Sequence, residues 1–176
     1  MELLTGVLFA VAPIMVGWSW ELIVALTLIS LFIIITVSDI HYMIIPDKVL
    51  LVFTGLFLFE RILWPLNPWW DSLVGAAVGF ILLLLIAFVS KGGMGGGDIK
   101  LFSLIGFVLG LKLLFLSFFL STLYGAVFGI LAMLFKLVKK RQPIPFGPFI
   151  VVGTLTSYFW GQQIIDLYLQ FLTNGL

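Results

Sequence analysis

The chain has 176 residues, of which 62% are hydrophobic and 10% are charged, and its mean hydropathy is +1.28. This composition excludes an ordinary soluble domain and indicates an integral membrane protein whose apolar segments cross a bilayer core of ~30 Å. The net charge of +1 gives no field for binding nucleic acid, and the absence of cysteine excludes disulfides, thiolate nucleophiles and cysteine metal ligands.

Glycine, proline and polar residues divide the sequence into about seven apolar segments. We expect each to be helical, because only a helix satisfies its own backbone hydrogen bonds in lipid. The first four segments run from Leu3 to Val16, Glu21 to Asp39, Pro46 to Trp64, and Asp71 to Ser90. The fifth runs from Asp98 to Gly110, and the sixth continues from there to Val138. The seventh runs from Phe146 to Leu172, with Gly161 as a candidate break. The fold prediction is one all-α domain over residues 1–176, a polytopic bundle of about six to seven membrane helices.

Basic residues predict the orientation of this bundle. Seven of the nine flank loops two, four and six, namely Lys48, Lys91, Lys100, Lys136, Lys139, Lys140 and Arg141. The positive-inside rule makes that face cytoplasmic. Five tryptophans fall at the opposite face, as an interfacial belt would: Trp18, Trp20, Trp64, Trp69 and Trp70. Asp39 and Asp98 border loops two and four, so we expect both carboxylates near the cytoplasmic face.

These two carboxylates are the strongest functional signal in the sequence. Asp39 ends one long apolar run, and Asp98 opens another directly after the glycine cluster at 95–97. A carboxylate near hydrocarbon costs several kcal/mol unless it is paired, hydrated or protonated. Two of them in one site can share a proton, so that one activates water while the other polarises a carbonyl. We therefore predict an aspartyl-protease pair that needs no cofactor and no metal.

Each of these aspartates and the polar residues near them also has a purely structural explanation. Asp98 is also a normal helix-capping residue, and Asp39 could be a helix-end carboxylate paired with Lys48. Asp47 follows Pro46 at a predicted helix start, where an acid complements the helix dipole. His41 is interpreted as a hydrogen-bonding surface residue. Glycines at four-residue spacing indicate ordinary close helix packing: Gly75 and Gly79, Gly106 and Gly110, and Gly125 and Gly129.

Three motifs in order resemble the signatures of bacterial type IV prepilin peptidases. They are Asp39-Ile40-His41-Tyr42-Met43-Ile44-Ile45-Pro46-Asp47, then Gly95-Gly96-Gly97-Asp98-Ile99-Lys100, then Pro143-Ile144-Pro145-Phe146-Gly147-Pro148-Phe149. The resemblance covers nearly the whole sequence. It implies a membrane aspartyl endopeptidase of the Gly-x-Gly-Asp type, with Asp39 and Asp98 as the catalytic residues.

The resemblance also implies a substrate and a location. The substrates would be prepilins or pseudopilins of type IV pili, type II secretion or DNA uptake, cut after a glycine at the cytoplasmic face of the bacterial inner membrane. The leader that is removed is short and basic, and an apolar stem helix follows it. In the substrate-binding region, Gly95 and Gly97 would keep the approach to Asp98 open. The turn Pro145-Phe146-Gly147-Pro148, with Pro145 and Phe146 as its substrate-binding residues, would shape the cleft. The expected partners are the substrate and the lipid bilayer, and the oligomeric state stays open.

The chain departs from the family pattern at its beginning. Many members carry a further membrane helix and a cysteine-rich zinc domain, and they N-methylate the new amino terminus. This sequence has no cysteine, its first segment has only about 14 residues, and residues 2–6 resemble the stretch that follows that domain. We expect a truncated or naturally minimal form, which puts methyltransferase activity in doubt.

Three other functions are weighed against the peptidase. A proton-coupled transporter would use the same two aspartates as a relay, but it predicts carboxylates near the midplane and an internal repeat, and the sequence shows neither pattern. A divalent metal site would combine Asp39, His41, Asp47 and Asp98, and a chelator would then abolish activity. An inactive scaffold is the last alternative.

Overall fold

The structure is a computed structural model that describes residues 2–90, 94–136 and 144–174. Within these ranges the chain forms six α-helices and no strand, so the all-α prediction is confirmed. The helices are α1 (Glu2–Val16), α2 (Glu21–Tyr42), α3 (Asp47–Leu63), α4 (Asp71–Val89), α5 (Gly96–Leu134) and α6 (Gly147–Asn174). In this described part, α2, α4 and α5 are long and apolar enough to cross a membrane.

Helix α5 reverses direction at Gly110, where φ is 79° and ψ is 174°. Phe102 and Phe118 lie eight residues before and after this glycine, and their ring centroids are 5.8 Å apart. In a straight helix the same residues would be ~24 Å apart. The predicted boundary between the fifth and sixth segments is therefore confirmed. The candidate break at Gly161 is wrong, because α6 continues through it without interruption.

Side chains from neighbouring helices satisfy the backbone groups that the reversal leaves without helical partners. The Arg61 guanidinium donates a hydrogen bond of 2.6 Å from Nη2 to the carbonyl oxygen of Val108. The N–H of Leu111 donates one of 3.2 Å to Oδ1 of Asp71. Arg61 is itself buried and donates to both carboxylate oxygens of Glu21, at 3.0 and 2.9 Å. Residues of α2, α3 and α4 thus stabilise the bend in α5.

Glycines bring α4 and the first half of α5 into backbone contact. A Cβ added to either Gly75 or Gly106 would collide with the backbone of the other, and one added to Gly79 would lie 2.6 Å from the carbonyl oxygen of Phe102. These contacts confirm close packing for the glycines on this interface. Gly129 is different, because no heavy atom of the described residues lies within 4 Å of a Cβ added there.

The helix ends separate into two groups, as the loop analysis predicts. At one end, a Cβ added to Gly97 of α5 would lie 2.7 Å from the Cβ of Ile45, which precedes α3. At the other end, Trp20 stacks on Trp64 with ring centroids 5.0 Å apart. The end that contains Ile45 is the one predicted to face the cytoplasm, and this orientation stays a prediction. Lys91, Lys139, Lys140 and Arg141 lie outside the described residues.

Substituting alanine at two glycines of α5 should change stability in opposite directions. Gly110→Ala should lower the free energy of unfolding by about 1–3 kcal/mol, because it forces a side chain into the left-handed region and against the Asp71 carboxylate. Gly129→Ala is the matched control and should raise stability by up to ~1 kcal/mol through helix propensity. Thermal unfolding of both variants in the same detergent checks the pair. Equal shifts would contradict the assigned bend.

Candidate active site

Asp39 is a buried carboxylate in the last turn of α2. It is only 6% exposed, and its Oδ2 accepts a hydrogen bond of 2.7 Å from the backbone N–H of Gly147. The helix ends four residues later, where Met43 has a φ of 52° and donates its N–H to the carbonyl oxygen of Asp39. The Ser38 hydroxyl then holds the following loop by donating to the carbonyl oxygen of Ile44 at 2.7 Å. Gly147 therefore holds the carboxylate itself, and the contacts at the end of α2 hold the backbone that carries it.

The donor to Asp39 is the first residue of α6. The first N–H groups of a helix have no partner inside the helix and carry the positive end of its dipole, so they bind anionic groups well. A Cβ added to Gly147 would lie 2.7 Å from Oδ2 of Asp39 and 3.0 Å from its Cγ. Only glycine allows this close approach. The sequence places Gly147 only within the turn predicted to shape the cleft, and it does not predict the contact of this glycine with Asp39.

Asp98 reaches the same site from the first turn of α5. Its Oδ2 accepts a hydrogen bond of 3.2 Å from the backbone N–H of Gly95, so it also closes the helix N-terminus. The sequence offers Asp98 as the N-cap, but the N-cap is Gly95, and Asp98 is the third residue of the helix and bonds back to it. Asp98 also lies close enough to Asp39 for the two carboxylates to repel each other. The structure thus brings together the two acids that the sequence predicts as a pair, and their catalytic function stays a prediction.

The predicted substrate-binding residues surround this pair in different ways. Gly95 lies beside the Asp98 carboxylate, with its added Cβ 3.2 Å from Oδ2. Gly97 packs against Ile45, so its lack of a side chain lets the start of α5 approach the α2–α3 loop. Phe146 precedes α6 and packs against Phe149, while Pro145 is half-buried. The binding of substrate by these four residues stays a prediction.

Asp47 and His41 point to other partners. Asp47 forms an exposed ion pair of 2.7 Å with Lys100, and His41 is exposed with Nδ1 2.9 Å from the carbonyl oxygen of Val37. These contacts agree with the structural functions predicted for both residues. In the part of the chain that the structure describes, no three His, Asp or Glu side chains form a group that could hold a metal ion.

Two carboxylates from different helices, held at one end of a helical bundle, can share a proton and act on one water molecule. The ionised carboxylate can accept a proton from water, and the protonated one can donate a hydrogen bond to a substrate carbonyl. A backbone N–H orients each carboxylate, and the hydrogen bond to Asp39, at 2.7 Å, is shorter than the one to Asp98, at 3.2 Å. The arrangement is suited to hydrolysis of an acyl bond.

Comparison with known proteins identifies similar chains. The model of the type IV leader peptidase family matches residues 26–130, a range that includes both aspartates. The prepilin leader peptidase/N-methyltransferase of Bacillus subtilis is 48% identical over 169 residues, which are 96% of this chain and 68% of the relative. Proteins with the same name from Xanthomonas campestris and Aeromonas salmonicida are 32% and 34% identical, over 97% and 96% of this chain.

These relatives are longer than the chain. The matched regions make up 61% of the Xanthomonas campestris protein and 60% of the Aeromonas salmonicida protein. No solved structure matches the chain significantly.

The two ion pairs that the structure describes should differ in their effect on stability. Asp47→Asn should change the free energy of unfolding by less than about 1 kcal/mol, because both partners, with side chains 67% and 52% exposed, remain hydrated when separated. Glu21→Gln should cost more, because it leaves the Arg61 guanidinium, only 4% exposed, without its carboxylate. Thermal unfolding at low and high salt checks both. A larger loss from Asp47→Asn would contradict the surface assignment.

Proposed function

Because the chain belongs to the type IV leader peptidase family, we propose that it is a membrane endopeptidase that removes the leader from type IV prepilins or pseudopilins. The observation that supports this mechanism is that Asp39 and Asp98, from two helices, lie near enough at one end of the bundle for their charges to interact. Cleavage would follow a glycine at the cytoplasmic face of the bacterial inner membrane. We confine this proposal to proteolysis.

In the proposed reaction the aspartates act as one pair with a shared proton. The ionised carboxylate takes a proton from water as the water oxygen attacks the carbonyl carbon of the scissile peptide. The protonated carboxylate gives its proton to the carbonyl oxygen. In the second step the C–N bond breaks, the hydroxyl proton returns to one carboxylate, and the leaving nitrogen receives the other proton. The pair therefore ends the cycle singly protonated, and both products carry complete valences.

The hydrogen bond from Gly147 orients one member of this pair, Asp39. Catalytic groups work best when their position does not have to change as the reaction proceeds, and a misplacement of about 1 Å can cost ~10²-fold in rate. A backbone donor at the start of α6 cannot rotate away as a side chain can. We propose that Gly147 is a positioning residue, which acts through Asp39.

The transporter alternative is less well supported by the positions of the two acids. A proton relay across the membrane places its carboxylates inside the spanning segments, near the bilayer middle. Asp39 lies instead in the last turn of α2, and Asp98 lies in the first turn of α5. Both positions suit a substrate that arrives from the aqueous face.

Removal of either carboxylate should abolish proteolysis. Asp39→Asn and Asp98→Asn should each lower kcat by ~10²–10⁴-fold or more, because each removes a proton acceptor or donor from the pair. Asp47→Asn should keep most of the activity, and a chelator should have no effect. The assay is cleavage of a synthetic prepilin segment by the purified chain in detergent, followed by mass spectrometry. Full activity in Asp39→Asn would reject the assignment of the pair.

A methyl group at the start of α6 should slow the reaction without unfolding the protein. Gly147→Ala should lower kcat at least ~10-fold, because its Cβ would displace the Asp39 carboxylate, whereas KM should change little. Gly129→Ala controls for the loss of a glycine and should keep normal kcat. Thermal unfolding shows whether both variants are folded. A folded Gly147→Ala variant with normal kcat would overturn the positioning function.

A further inference from the structure

A large open groove lies between α3, α4 and the first half of α5. Its volume is about 750 Å³, and its wall is mainly apolar. Leu50, Leu58, Phe80 and Phe107 provide much of the apolar surface. The groove is separate from the Asp39 and Asp98 carboxylates, neither of which lines it.

The groove carries small residues on both α3 and α5, and the hydroxyl groups among them already have hydrogen-bond acceptors. The Thr54 hydroxyl donates to the carbonyl oxygen of Leu50 at 2.7 Å, and the Ser103 hydroxyl donates to that of Ala76 at 3.0 Å. Gly55 adds no side chain, and no heavy atom of the described residues lies within 4 Å of a Cβ added there. Small residues allow the backbone of another helix to approach closely in a membrane. The groove that these small residues line therefore suits a helix as its occupant.

The polar end of the groove lies beside the start of α5. Asp47 and Lys100 line it and form their ion pair there. Lys100 follows Asp98 by two residues, or ~3 Å along the helix axis. The groove therefore begins within one helical turn of the proposed catalytic pair, although it opens on another side of α5.

We propose that this groove binds the apolar stem helix that follows the cleavage site in the substrate. This inference rests on the proposed peptidase function. A helix ~10 Å wide with a rise of ~1.5 Å per residue has a volume of ~120 Å³ per residue. A space of about 750 Å³ would thus hold ~6 residues of helix completely, or ~12 residues embedded to half their width. The half-embedded length of ~12 residues is more than half of a ~20-residue membrane span.

The order of polarity along the substrate matches the order along the enzyme. By the family resemblance, the substrate would carry a basic leader, then the cleavage site, then the apolar stem. The enzyme presents two carboxylates, Asp39 and Asp98, then the polar groove end at Asp47 and Lys100, then the apolar groove. A linker of about three extended residues spans ~10 Å, which is the width of one helix. A stem in the groove can therefore place the scissile bond at the carboxylates.

The first test fills the groove at its open position. Gly55→Leu adds a side chain where the fold has room, and Gly129→Leu makes the same change outside the groove. Two synthetic substrates are compared, one with a basic leader, a cleavable glycine and a ~20-residue apolar stem, and one that ends a few residues after the glycine. The kcat/KM ratio of the long to the short substrate should fall at least ~10-fold in Gly55→Leu and stay constant in Gly129→Leu. An unchanged ratio in Gly55→Leu would overturn the proposal.

The second test is independent of catalysis. A photo-crosslinking amino acid replaces either Leu58, which lines the groove, or its neighbour Phe59, which is exposed elsewhere. Both are placed in an Asp98→Asn background, reconstituted in phosphatidylglycerol/phosphatidylethanolamine vesicles with the long substrate. Substrate adducts should form from position 58 and be at least ~10-fold weaker from position 59. Adducts at position 58 with lipid only, or with a second copy of the chain, would overturn the proposal.

The two tests separate this inference from the proposed function. Adducts from position 58 without any cleavage by the unmodified chain would support the groove and reject the peptidase function. Cleavage by the unmodified chain without substrate adducts from position 58 would support the peptidase function and reject the groove as the stem-binding site.

Discussion

The chain reverses direction at Gly110 inside an apolar bundle, and this is stable only if the freed backbone groups find partners. In hydrocarbon each unpaired N–H or C=O group costs several kcal/mol. Arg61 and Asp71 supply the partners, and the Glu21 carboxylate in turn compensates the buried charge of Arg61. The left-handed backbone of Gly110 makes the turn tight enough for these contacts. Two sets of polar contacts therefore hold the bend at one end of the bundle: one joins α2, α3 and the first half of α5, and the other joins α4 and the second half.

The bend that these contacts stabilise also determines which helix ends lie together at the opposite end of the bundle. With the two halves of α5 antiparallel, the first half starts beside the end of α2, and α6 begins there as well. Asp39, Asp98 and Gly147 then come from three separate helices to one place. The contacts there are close because glycine supplies them, as the approach of Gly147 to the Asp39 carboxylate shows. The same feature makes the site sensitive to one added methyl group.

The proposed stem groove and the proposed catalytic pair would recognise different parts of the substrate: the groove the apolar stem, and the pair the scissile bond. The groove offers apolar surface and small residues, which discriminate only weakly between one apolar helix and another. The carboxylates and the α6 start offer fixed polar groups, which act only on a bond that reaches them. Placing the two on different sides of the α5 start would require a short extended linker in the substrate. A continuous helix would not bend around α5 in this way.

The sequence by itself determined the helical class, the segment boundaries to within a few residues and the break at Gly110, because hydropathy and chain breakers are local properties. It also predicted Asp39 and Asp98 as a pair. It misplaced a break at Gly161, where packing within α6 overrides the weak helix propensity of one glycine. Only the tertiary structure decided that Asp98 lies near enough to Asp39 for their charges to interact, that Gly147 holds Asp39, and that Asp47 pairs with Lys100. These contacts join residues up to 108 positions apart. Their geometry depends on how the helices pack, which no local pattern encodes.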